Sequence, residues 1–86
     1  MGARKLNDKL NILSANIRYF RNKCELSQAD VCRELALLGV TMYTADIYDI
    51  EYNKRTIKDY EVYAFAKIFH ITLDELYSGA EKEFNY

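Results

Sequence analysis

The chain carries no proline in 86 residues and only three glycines. This scarcity constrains the fold more than any other feature. Tight turns and β-hairpins draw on Pro and Gly for their backbone angles, so a fold of many short strands needs many of them. A chain without them is directed to helices joined by short polar connections. The length gives one small domain, with no room for a catalytic domain beside a binding domain. Such a chain buries only ~60–65% of its unfolded surface, so its core is thin. Half of the residues are hydrophobic and 29% are charged, which is globular composition and not that of a disordered chain. No apolar run is long enough to span a bilayer and no signal-peptide pattern opens the chain, so no membrane partner is expected and the expected compartment is the cytoplasm.

Two cysteines, Cys24 and Cys32, and a single histidine, His70, cannot supply a disulfide framework or a four-ligand zinc site. No metal and no other cofactor is expected. There is no Ser/His/Asp or Cys/His arrangement and no phosphate-cradling glycine loop, so no enzyme activity is expected either. Net charge is −1, but its distribution is uneven. Residues 1–25 hold six Lys/Arg against two acids, whereas residues 26–51 hold one Arg against five acids. A basic first segment beside an acidic middle is either functional or a pair of solvated helix faces.

The apolar residues follow helical spacing. Leu6, Leu10, Leu13, Ile17 and Phe20 predict a first helix from about Asn7 or Asp8 to Cys24. Ser27 with Asp30 three residues on resembles a capping box, and starts a second helix that reaches about Leu37 and buries Val31, Cys32, Leu35 and Leu38. Gly39 marks the break after it. A short third helix turns Met42, Ile47 and Ile50 to the core and Ala45, Tyr48, Asp49 and Tyr52 away from it. Asn53-Lys54-Arg55 is a polar turn. A fourth helix starts near Lys58 or Asp59 on Val62, Phe65, Ala66 and Phe69. Thr72-Leu73-Asp74-Glu75 is a full capping box that opens a fifth helix over Leu73 to Tyr77. Residues 1–78 form the domain. Residues 79–86 are expected to be a frayed tail, with Phe84 and Tyr86 as residues able to dock.

Ile17-Arg18-x-Phe20-Arg21, Leu26-Ser27-Gln28-Ala29, Ile47-x-x-Ile50-Glu51, Ala64-x-Ala66-Lys67-x-Phe69 and Ile71-x-Leu73-Asp74-Glu75-Leu76 together resemble the Cro/cI-type helix-turn-helix family, also called XRE or lambda-repressor-like. The resemblance covers about two thirds of the chain. It implies an all-α, compact five-helix DNA-binding domain with its helix-turn-helix at about residues 27–52. It implies double-stranded DNA as partner, bound by a homodimer on a (pseudo)palindromic site. The recognition helix, about residues 43–52, would lie in the major groove. Thr44, Ala45, Tyr48 and Asp49 match the family's base-contacting positions. Ser27 and Gln28 match phosphate contacts at the start of the second helix, and Tyr52, Asn53, Lys54, Arg55 and Lys58 fall on or beside a loop that commonly touches the backbone. Arg21 and Glu51 match a structural ion pair. The chain departs from the pattern in a longer turn around Gly39-Val40, in Tyr43 where Ser or Thr usually caps the recognition helix, and in Tyr52-Asn53 where Asn-Gly often follows the Glu.

The outward positions of the third helix raise an objection to groove binding. They contain no Arg, Lys, Asn or Gln, the usual bidentate readers of guanine and adenine. Asp46 suits the positive end of a helix dipole. Asp49 either accepts from a cytosine amino group or faces a polyanion. Thr44 and Ala45 fit a thymine methyl, and the Tyr48 and Tyr52 hydroxyls can reach phosphates. A tyrosine-bearing acidic face equally fits a protein partner. Two functions therefore stand side by side: a DNA-binding transcriptional regulator, and a helix-turn-helix scaffold used for protein–protein interaction.

Overall fold

A computed structural model of the chain describes residues 4–85. Among the described residues there are five α-helices and no strand: α1 Ser14–Lys23, α2 Gln28–Leu37, α3 Thr44–Glu51, α4 Asp59–Ile68 and α5 Leu73–Leu76. A 3-10 turn, Ala80–Glu83, follows. Among the described residues no helix is long and apolar enough to cross a membrane.

Local chemistry sets most of the boundaries. Ser27 Oγ accepts from Asp30 N–H while the Asp30 carboxylate accepts from Ser27 N–H, closing the start of α2 on both sides. Thr72 and Glu75 do the same for α5. At α3 the hydroxyl half of such a box is missing, and Asp46 alone takes the Tyr43 N–H at 2.9 Å. The end of α2 is a Schellman turn. Gly39 lies at φ +82°, its N–H reaching Ala36 O and the Val40 N–H reaching Leu35 O. His70, at φ +57°, makes the left-handed turn between α4 and α5.

The core draws on every helix. Ile17, Val31, Leu35, Ile47, Ile50, Phe65, Phe69 and Leu76 are buried together with Leu13, Met42, Ala64 and Ala66. Phe65, Phe69 and Phe20 stack in a row with centroid separations of 6.0 and 6.2 Å. Within this core α2 packs chiefly on α3 and α4, α1 on α3, and α4 on α5.

Four expectations are corrected. The first helix starts at Ser14 and not at Asn7 or Asp8. Asn7 and Asp8 both have positive φ, and Leu6 and Lys9 close a turn on each other. Next, Asn53 Oδ1 takes the N–H groups of Leu10 and Asn11 at 2.7 and 3.0 Å, and Asn53 Nδ2 donates to Asn11 O and Ser14 Oγ. The buried Asn11 Nδ2 in turn donates to Ile50 O and Arg55 O, and its Oδ1 caps the Leu13 N–H. These long-range bonds draw residues 10–13 out of the helical path that their apolar spacing predicts. Second, Leu38 is exposed, because the Schellman turn carries it away from the core. Third, α5 ends one residue earlier than expected, with Tyr77 as its C-cap. Fourth, residues after Gly79 are not frayed throughout. Glu83 receives Lys9 Nζ at 2.6 Å, and Asn7 Nδ2 donates to its carbonyl at 2.7 Å. Phe84 is about half exposed, and Tyr86 lies outside the described residues.

Asn53 sits at φ +60°, where Asn is tolerated and Ala is not. Asn53→Ala is therefore expected to cost about 2–3 kcal/mol, from stranded donors plus backbone strain. Asn53→Gly keeps the backbone angle and loses roughly 1 kcal/mol less. Thermal unfolding of both variants checks this, and a change within ~0.5 kcal/mol for Asn53→Ala, as for a surface site, would refute the bracket.

Candidate nucleic-acid interface

The two faces of α3 differ sharply. Ile47, Ile50 and Glu51 are buried, whereas Thr44, Ala45 and Tyr48 are exposed and Asp49 is half-buried. The exposed face is therefore available to a partner, and the buried one fixes its orientation.

Glu51 does most of the fixing. The residue is 3% exposed, and its carboxylate takes a two-pronged grip from Arg21, Nε to Oε2 at 2.6 Å and a terminal nitrogen to Oε1 at 3.0 Å. The other terminal nitrogen of Arg21 donates to Leu26 O at 2.9 Å. One guanidinium thus joins α1, the end of α3 and the turn into α2. The Glu51 hydrogen bonds raise the Arg21 pKa above its ordinary value against the opposing effect of burial. Gln28, a phosphate contact by the resemblance, is half-buried, and its amide leans to 3.5 Å from Glu51 Oε1.

A second carboxylate grip was not legible in the sequence. Glu61 is also 3% exposed and accepts from both terminal nitrogens of Arg55 at 3.0 Å and from the Lys58 N–H at 2.9 Å. Burial opposes its ionisation, but the Arg55 and Lys58 hydrogen bonds outweigh it and hold its carboxyl below the usual value. The one available signal was the place of Glu61, three residues after the N-cap Lys58. Arg55 is six residues upstream and outside any helical spacing.

These contacts revise the phosphate set. The side chains of Asn53 and Arg55 are engaged within the protein, so neither is free for a phosphate. The Ser27 N–H is taken by Asp30, which removes it as an anion donor. Gln28 is half-buried. Tyr52, Lys54 and Lys58 remain exposed. Arg55 has a further effect on the acidic helix. Its Nε lies 3.8 Å from Asp46 Oδ1, and both Asp46 and Asp49 act on it electrostatically, raising its pKa together with Glu61. Arg55 thus stands near the outer acids Asp46 and Asp49 of α3 while its own charge is paired with Glu61.

The exposed tyrosines are ordered. Tyr48 and Tyr52 stack at 4.4 Å between centroids with planes 28° apart, as their i, i+4 spacing on α3 permits. Lys54 Nζ lies 5.4 Å from the Tyr48 centroid, and Arg18 Cζ lies 5.6 Å from that of Tyr52. Arg18 belongs to α1, and sequence reasoning assigned it no role at this face. Among the described residues no group of three His, Cys, Asp or Glu stands close enough to hold a metal ion. Cys32 is half-buried, which pushes its thiol pKa up, and Cys24 is exposed.

Comparison with family models, with curated proteins and with solved structures finds no match to this chain.

Glu51→Ala strands the Arg21 cation and is expected to cost about 3–5 kcal/mol, against almost nothing for the exposed control Glu81→Ala. Equal melting temperatures for the two variants would refute the buried pair. The Glu61 contribution has its own signature. A folded-state pKa below the unfolded one adds stability that is complete above the unfolded value and disappears as pH falls through the folded value. Between about pH 6 and 3 the melting-temperature advantage of wild type over Glu61→Gln should therefore shrink. A pH-independent gap would show that the ionised carboxylate is not what Arg55 holds.

Proposed function

We propose that this chain is a sequence-specific DNA-binding transcriptional regulator of the helix-turn-helix type, acting as a homodimer on a two-fold-related site. The observation that carries this reading is the paired arrangement of α2 and α3. The capped start of α2 stands at the surface, and α3 packs its inner face on the core while presenting Thr44, Ala45 and Tyr48 outward. The resemblance of the Leu26–Glu51 stretch to the Cro/cI-type family supports the same assignment.

In this mechanism α3 enters the major groove. Thr44 and Ala45 contact thymine methyl groups, and Asp49 accepts from a cytosine amino group. Gln28, Lys54 and Lys58 fix the register on phosphates, and the Tyr48 and Tyr52 hydroxyls add donors. In this mechanism the two outer acids of α3 have uses of their own: Asp49 accepts from the cytosine amino group, and Asp46 takes the Tyr43 N–H at the start of the helix. One observation favours the second reading, a scaffold for protein interaction. The exposed Tyr48–Tyr52 stack, with Tyr43 at 71% exposure, is an aromatic surface of the kind that anchors protein interfaces.

Fluorescence anisotropy on the duplex upstream of the chain's own gene, against a scrambled duplex at two salt concentrations, separates the two. The regulator reading expects binding at least ~10³-fold tighter to the cognate duplex and falling steeply with salt. Gln28→Ala and Lys54→Ala should weaken binding to both duplexes alike. No binding even at low salt would overturn this reading, and a protein complex broken by Tyr48→Ala would establish the other.

A further inference from the structure

The cations around α3 fall into two kinds. Arg21 and Arg55 are neutralised by the buried carboxylates of Glu51 and Glu61. Arg18 and Lys54 are both exposed, and among the described residues neither has a carboxylate within ion-pair distance. They rest instead on aromatic rings, Arg18 on Tyr52 and Lys54 on Tyr48, while the two rings stack on each other. The four side chains form one run, Arg18, Tyr52, Tyr48, Lys54, reaching from α1 across the exposed edge of α3 to the turn after it.

The geometry points to this run as a two-cation phosphate clamp, with Arg18 a DNA-backbone contact and the tyrosine stack its positioning element. A π face attracts a cation without cancelling its charge, so the positive ends stay available to an anion. The N–H donors of a guanidinium lie in its plane, and among the described residues no carboxylate takes those of Arg18, so they stay usable for two phosphate oxygens. The rings also hold two long side chains that would otherwise lose rotamer freedom on binding. Arg18 stands on α1 and not on α3, which suits a strand that borders a groove better than base edges inside it. The ligand is therefore the sugar–phosphate backbone, and the contact carries no sequence preference of its own.

This inference rests on the DNA-binding reading, and the experiment keeps the two apart. A labelled mixed-sequence duplex is titrated with the folded protein from about 50 to 200 mM salt, and the slope of log K against log salt is read. Folding of each variant is checked by thermal unfolding. Arg18→Ala and Lys54→Ala should each lower the slope by about one, the signature of one lost phosphate contact. Tyr52→Ala should follow Arg18→Ala, and Tyr52→Phe should restore the slope, because a platform needs only the ring. Lys67→Ala is the control. Lys67 also rests on a tyrosine, Tyr63 at 5.2 Å, but on α4, and its loss should leave the slope unchanged. Steep wild-type salt dependence with an unaltered slope for Arg18→Ala would overturn the clamp and leave the DNA-binding reading standing. No wild-type binding at low salt would overturn both. A Tyr52→Phe slope as low as that of Tyr52→Ala would overturn the ring as the positioning element.

Discussion

Glu51 loses nearly all contact with water when the chain folds, and Arg21 meets both of its oxygens there. An uncompensated carboxylate in that position would oppose folding by several kcal/mol. The same guanidinium also holds the Leu26 carbonyl. Three elements are thus referred to a single planar group: the helix that supplies it, the end of the helix that faces outward, and the chain entering α2. In a domain whose core is this small, such a junction sets the angle at which α3 is presented. The hydrophobic contacts beneath it are numerous but not directional.

The second grip and the asparagine bracket extend this logic to the far side of α3. Arg55 and Glu61 fix the loop after α3 to the first turn of α4. Asn53 and Asn11 lace the chain before α1 to the same loop through bonds made mostly with backbone groups. The polar residues that frame α3 therefore face inward more than they face a ligand. What remains outward is the tyrosine stack, two cations resting on it, and the small residues Thr44 and Ala45. The surface offered by α3 is aromatic and cationic at its C-terminal end, and near its N-terminal end the small Thr44 and Ala45 stand beside Tyr43 and Asp46.

Elements with a local cause were legible in the sequence. The capping boxes at Ser27 and Thr72 and the Gly39 turn are interactions across three to five residues, and their residue types state them directly. The inner face of α3 was legible because Ile47 and Ile50 repeat with helical period. The misreadings share a different cause. Asn11 and Asn53 are separated by 42 positions, and nothing in their neighbourhoods signals that the Asn53 side chain will hold the Asn11 backbone while the Asn11 amide holds Ile50 O and Arg55 O. The helical spacing of Leu6, Leu10 and Leu13 is real, but the side chain of the distant Asn53 takes the N–H groups of residues 10 and 11. Asn53 and Arg55 read as surface cations and amides by composition, and only the fold reveals that a buried oxygen needs each of them. Arg18 went unnoticed for the converse reason: its partner is a ring on another helix, and π faces leave no charge pattern in a sequence.

The contact of Glu83 with Lys9 and Asn7 brings the last described turn against the first described one. The closing segment of the fold therefore lies within a few ångströms of the opening segment. A short linker joining them would cross little space and demand little loop-closure entropy. The order of the helices along the chain is to that extent separable from their arrangement in space. A permuted chain opened at the exposed Gly39 turn would keep α1 against α3, but α2 and α3 would no longer be neighbours in sequence. Whether two helices must be consecutive to act as one unit then becomes a question of covalent order alone, posed with every packing contact left in place.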